Sequence, residues 1–192
     1  MSTYATFHGD LYRNVTYNSD DYTQYDAAQV YYNIKAYTGL TTWDDVIPLA
    51  HGLMRNYALS TTPDGSIASW YMHSQSYVTN YAATSEADDV TACRGQADNA
   101  SYAPCNTDIA WTASEEKSRE VAHLVMCYLD AQTLGWTMCA NGRYATLVGQ
   151  MLTHMSNWVN GTYDPPLKPF MCGITMRALI KVYDYDGNTS VL

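Results

Sequence analysis

The sequence predicts an all-α domain, an array of antiparallel helical hairpins broken by one long irregular insertion. Three observations predict it. Five stretches repeat apolar residues at helical spacing, and each stops at Gly, Pro or Asp-Gly. No run of alternating apolar residues is long enough to build a sheet. A phrase also recurs: "YYNIKAYTGL" at 31–40 and "ALIKVYDYDGN" at 178–188 each read as the end of a helix and its turn into the next element.

In chain order, residues 1–22 are polar, Tyr-rich and without period, and read as an N-terminal arm. From Tyr25, the residues Ala27, Val30, Tyr31, Ile34 and Tyr37 recur at helical intervals until Gly39 supplies a C-terminal cap. The second helix carries Val46, Leu49, Ala50, Leu53 and Tyr57 on one stripe. Pro48 is acceptable near its start because first-turn amides have no intrahelical acceptor. Asp44 and Asp45 read as charges favoured at that N-terminus.

Residues 66–113 hold no sustained period and form the irregular insertion, a length at which short helices or strands are expected inside it. Ser114 then caps a third helix with Val121, Leu124, Val125, Tyr128 and Leu129, ending near Gly135. A fourth runs from about Arg143 through Leu147, Met151, Met155 and Trp158 to "NGTYDPP". A fifth follows Pro169 with Ile174, Ala178, Leu179 and Val182, ending at "DGN".

The chain has 192 residues, enough for one domain with a substantial core, so residues 1–192 are taken as a single unit. Hydrophobic residues make up 47%, which argues against disorder. Only 15% are charged, so polarity comes from Tyr, Thr, Ser and Asn. Eighteen Tyr stand against two Phe, a bias toward side chains that pair an apolar ring with a hydroxyl. The net charge of −9 and the lack of any Lys/Arg cluster argue against nucleic acid as a partner. No apolar stretch is long enough to span a membrane. Residues 1–14 lack the basic and apolar regions of a signal peptide. Either the protein is not exported, or the sequence is a mature form or an excised piece of a longer chain.

No Cys-x-x-Cys and no Cys/His set has zinc spacing. No Gly-rich phosphate loop or Gly-x-Ser-x-Gly elbow occurs. No metal or cofactor is therefore expected. Cys93 and Cys105 flank "RGQADNASYAP" and are expected to close a small disulfide in an oxidising compartment, while Cys127 and Cys172 fall within helical patterns as buried thiols.

The segments "YYNIKAYTGLTTWDDVIPLAHGLMRNY", "SREVAHLVMCYLDAQTLGW" and "KPFMCGITMRALIKVYDYDGN" resemble the helical-hairpin repeats of (α/α) toroid proteins, among them six-hairpin glycosidases and polysaccharide lyases. Tyr37, Thr38, Gly39 and Trp43 fit the repeat, and Leu40 stands where the repeat has Asp. Five helices amount to a partial or small toroid. The resemblance implies a carbohydrate partner and hydrolase- or lyase-like activity on a polysaccharide, which fits an extracellular or periplasmic setting. The alternative is a non-catalytic glycan-binding or structural and assembly domain.

Toroid lyases use Tyr and His to move a proton beside a uronate carboxylate, with Asn or Arg neutralising that carboxylate. "WYMHSQSYVTNY" offers His73 and Tyr77 as base or acid. Trp70, Tyr71, Tyr81 and Trp111 are candidate sugar-stacking residues. The hydrolase alternative rests on Asp88 and Asp89, an adjacent acid pair like that of some toroid mannanases, although Val-Thr-Ala follows it here where those families have aromatics. The acidic surface favours a neutral sugar over a polyanion. The pairs His51/Arg55 and Arg119/His123 stand at i,i+4 and are suited to line a cavity or to pack. His154, beside Met151, Met155 and Trp158, reads as helix packing.

Overall fold

A computed structural model describes residues 9–10, 12–14, 26–60, 74–99, 109–140, 142–162 and 168–191. Among these residues there are helices and turns and no strand. Among the described residues from 26 onward, seven α-helices follow one another: α1 (Ala27–Thr38), α2 (Val46–Ser60), α3 (Gln75–Thr84), α4 (Ala87–Asn99), α5 (Ser118–Thr133), α6 (Arg143–Val159) and α7 (Pro169–Asp186). Short 3-10 turns precede α5 and follow α7.

The repeated phrase marks two equivalent helix ends. Gly39 closes α1 at φ 71° and donates its N–H to Lys35 O. Gly187 closes α7 at φ 68° and donates to Tyr183 O. An L-residue with a Cβ meets steric strain in that left-handed region, which is why Gly ends both runs. Asp26 starts α1. One carboxylate oxygen accepts from Gln29 N at 3.0 Å, and the other accepts from Ser76 N at 3.0 Å, so a single side chain ties the starts of α1 and α3 together.

α5 is the centre. From Ser118 to Ala131 every side chain except Arg119 is buried, as expected of a helix covered on all sides. α4, α6 and α7 pack directly on it, and α3 touches it more lightly. α2 packs on α4, and α1 lies on α2 and α3. The main core gathers Tyr77, Cys93, Val121, Leu124, Val125, Tyr128, Leu147, Met151 and Val182. A smaller one joins Tyr12, Ala28, Tyr31, Trp43, Val46, Ile47 and Ala50 between the N-terminal segment and α1/α2.

Three expectations are corrected here. The span 66–113 is not irregular throughout, because residues 74–99 form the hairpin α3/α4, turned at Ser85 with φ 61°. Its buried stripe on α4 is Asp89, Ala92, Cys93, Gln96 and Ala97, with helical spacing but two polar members that hide the period. The arm 1–22, read as lacking a period, contains helix. Residues 9–10 and 12–14 are helical, Tyr12 is buried, and Arg13 clasps Asp45 at 2.7 and 2.8 Å. Finally, Ser114 does not start the third predicted helix. Two 3-10 turns, Ala110–Ala113 and Glu115–Lys117, precede α5, and the Ser118 hydroxyl donates back to Glu115 O at 2.6 Å.

Candidate functional site

The polar stripe of α4 meets its partners in a network between α1, α2, α3 and α4. Asp89 is fully buried. Its Oδ1 lies 2.6 Å from His51 Nε2 of α2, and its Oδ2 accepts from Asn80 Nδ2 of α3 at 2.7 Å. Tyr32 of α1 donates its hydroxyl to Asn80 Oδ1 at 2.8 Å. Arg55, one turn beyond His51, pairs with Glu86 and stands 3.7 Å from Asp89. The network thus runs from a half-exposed Glu86, past Arg55, to a buried carboxylate and imidazole.

A carboxylate only accepts, so in the neutral imidazole the tautomer that fits this contact carries its hydrogen on Nε2 and leaves the lone pair on Nδ1. Nδ1 is buried and has no hydrogen-bond partner. The ring is otherwise held by Tyr77, edge-on at 5.6 Å between centroids. Chemically this is an oriented imidazole with one unused nitrogen, backed by a carboxylate and flanked by a guanidinium, an amide and two phenols. Burial pushes the Tyr77 hydroxyl well above the usual tyrosine range, and burial followed by the nearby Asp89 and Asp26 charges raises Tyr32. Both phenols are therefore hydrogen donors rather than bases.

The sequence-predicted residues separate in space. Asp88 and Asp89 do not form an acid pair, since consecutive helical residues point about 100° apart. Asp88 is exposed, while Asp89 is spent on His51 and Asn80. Tyr77 is no surface residue: it is 0% exposed, donates to Met54 O at 3.3 Å and accepts from Gln96 Nε2 at 3.3 Å. Tyr81 lies on the exposed side of α3. Trp70, Tyr71 and His73 lie outside the described residues. Trp111 belongs to the first 3-10 turn, and its side chain lies outside them too.

The disulfide expected between Cys93 and Cys105 is corrected. Cys93 is a free, fully buried thiol on α4, facing inward among apolar residues rather than into a loop. A hydrogen bond with Cys127 and then burial push its pKa well above the usual thiol range. Cys105 lies outside the described residues, and Cys139 is the disulfide-bonded cysteine among those described.

Asp44 and Asp45 are engaged in ion pairs, with Lys35 and Arg13 respectively, and the Arg13 hydrogen bonds hold Asp45 below the usual carboxylate range. His154 is a packing residue as expected. Its Nε2 donates to Ala113 O at 3.0 Å, Nδ1 faces the Ser118 hydroxyl at 3.1 Å, and burial lowers its pKa. Among the described residues no group of acidic, His or Cys side chains is arranged to hold a metal ion, and no helix is long and apolar enough to cross a membrane.

Sequence reasoning singled out the His51/Arg55 pair and, separately, Asp89, but not their convergence, nor Tyr32 and Glu86. The signal was available. His51 and Arg55 share one face of α2, and Asp89 falls at the buried spacing of α4 once that segment is read as a helix. Comparison with family models, with curated proteins and with solved structures finds no match to this chain.

Proposed function

We propose that this chain is a carbohydrate-active helical-hairpin domain whose chemistry is lyase-like proton transfer centred on His51. The observation that carries the reading is the His51–Asp89 contact at 2.6 Å with the second ring nitrogen unpartnered. β-Elimination needs a base beside the proton next to a uronate carboxylate, a charge sink for that carboxylate and an acid for the leaving oxygen. His51 Nδ1 takes the role of the base, and Asp89 orients the ring and stabilises the imidazolium that forms. Arg55, released from Glu86, meets the substrate carboxylate, with Asn80 beside it. The proton leaves carbon for His51, the electron pair forms the new C=C bond, the glycosidic C–O bond breaks, and the leaving oxygen takes a proton from the His51 imidazolium, which restores the base. Hydrolysis by paired carboxylates fits less well, because Asp88 is exposed while Asp89 is buried against His51 and Asn80. A net charge of −9 sits better with a sparsely charged polysaccharide than with a polyanion.

A second reading is favoured by burial. His51 is 3% exposed and Asp89 0%, which suits a polar clasp in a non-catalytic glycan-binding or assembly domain. A panel of neutral and uronate-containing polysaccharides, read for both binding and product release, separates the two. Unsaturated uronate ends released by the purified chain support the proposal. Binding without release, or neither, supports the clasp.

A further inference from the structure

Four Asn-x-Ser/Thr motifs stand in the chain, at Asn14, Asn99, Asn160 and Asn188. Such a motif arises by chance in a chain rich in Asn, Ser and Thr, and it gains meaning on a surface turn of a secreted protein. The structure separates the four. Thr16 and Ser101, the hydroxyl residues of the first two motifs, lie outside the described residues. Asn14 also spends its Nδ2 on Asp10 O at 2.8 Å. Asn188 is half-buried, and its Oδ1 accepts from both the N–H and the hydroxyl of Ser190, the third residue of its own motif. Asn160, Gly161 and Thr162 are all exposed, just past the end of α6.

The helix itself makes this turn. Asn160 donates its N–H to Ser156 O at 2.9 Å, Gly161 to Trp158 O at 3.3 Å and Thr162 to Asn157 O at 3.0 Å. Gly161 sits at φ 64°, where a Cβ is strained. The side chain of Asn160 makes one local contact, from Nδ2 to Ser156 Oγ one turn back at 3.1 Å. An amide nitrogen that carries a sugar keeps one N–H, so this contact survives modification. Two further observations point to a covering group here. Val159, the residue before Asn160, is 80% exposed, and a sugar on its neighbour gives it cover. Cys139 is disulfide-bonded, and disulfides persist in oxidising compartments such as the secretory lumen, where glycan donors are also found.

We propose that Asn160 is an N-glycan acceptor. The co-substrate is an oligosaccharide carried on a lipid pyrophosphate. Asn160 Nδ2 forms a bond to the anomeric carbon of that sugar. The bond from this carbon to the pyrophosphate oxygen breaks, the lipid pyrophosphate leaves with the electron pair, and one amide proton passes to the transferase. Thr162 supplies the hydroxyl that the transferase reads. Transfer acts on the chain before it folds, and the fold decides whether the product is tolerated. An exposed turn closed by its own helix admits a bulky, solubilising group without moving a neighbouring element. The inference is independent of the chemistry at His51.

Expression of the full chain behind a cleavable secretion signal in a eukaryotic host tests it. Secreted and retained chain are each digested, and the peptide that holds Asn160 is read by mass spectrometry before and after a peptide amidase that turns glycosylated Asn into Asp. The secreted wild type is expected to carry the glycan at Asn160. Thr162→Ser is expected to keep it, while Thr162→Ala and Asn160→Gln lose it completely at this site. Asn160→Gln is expected to match the wild type in far-ultraviolet circular dichroism and to melt at the temperature of the enzymatically deglycosylated wild type, because the contact it alters is local. An unmodified Asn160 in both fractions overturns the proposal. So does a glycan at Asn160 confined to retained, misfolded chain, or one that persists in Thr162→Ala.

Discussion

Replacing Asp89 by Ala removes the acceptor that joins three helices. Asp89 accepts from His51 Nε2 at 2.6 Å and from Asn80 Nδ2 at 2.7 Å, with Arg55 3.7 Å away. Hydrogen bonds to a charged group contribute about 1.5–3 kcal/mol each. Two of them set an upper range near 3–6 kcal/mol, offset in part because a buried carboxylate no longer has to be desolvated. What remains is a pair of buried donors without an acceptor, a situation that costs about 1–3 kcal/mol for each donor. In a chain of this length that lowers the melting temperature by roughly 10 °C. Asp89→Asn keeps the shape and one acceptor. A flip of the Asn80 amide restores part of the network, so its cost is about 1–2 kcal/mol. Asp88→Ala, one residue away but exposed, stays within about 0.5 kcal/mol of the wild type. Urea unfolding followed by circular dichroism measures all three. An Asp89→Ala variant within about 1 kcal/mol of the wild type, or one no worse than Asp88→Ala, refutes the reasoning.

Gly39→Ala forces a Cβ into φ 71° with open space around it, so the cost is conformational alone, about 1 kcal/mol by the same unfolding assay. His154 is held neutral: burial lowers its pKa from 6.5, so below that value the unfolded chain binds the proton more readily than the folded one. Stability from this residue is present above pH 6.5 and is lost as pH falls through the depressed folded value. Unfolding free energies compared between about pH 7.5 and 5.5 are expected to fall, with a smaller drop in His154→Gln. A rise on acidification contradicts the assignment. Cys93 and Cys127, both 0% exposed, are expected to resist a thiol reagent in the native protein and to react in denaturant; rapid native labelling contradicts their place in the core.

The legible parts of the fold were the helices whose buried faces are apolar. α6 buries Leu147, Val148, Met151 and Trp158, and α7 buries Met171, Ala178, Leu179 and Val182; both stand in the sequence as plain stripes. α3 and α4 were hidden for a physical reason. Their inward positions include Ser76, Asn80, Asp89 and Gln96, which are tolerable there because most of their polar atoms are hydrogen-bonded across helices. A hydrophobic period cannot register a residue buried by pairing. The same fact explains the site. Asp88 and Asp89 look alike in a sequence, and only the helical phase of α4 sends one to solvent and the other to His51. Cys93 was misjudged along with its segment, since a loop cysteine invites a disulfide and a helix-face cysteine packs.

The most direct test of the proton-transfer proposal follows the ultraviolet absorbance of the conjugated C=C–carboxylate product. Wild type, His51→Ala and Asp89→Asn are compared on a uronate-containing polysaccharide at a temperature where all three remain folded. The account predicts steady product formation by the wild type, none by His51→Ala, and a reduced rate for Asp89→Asn, whose imidazole is less firmly held. Product formation by His51→Ala at the wild-type rate, or no product from the wild type on any uronate polymer, contradicts it.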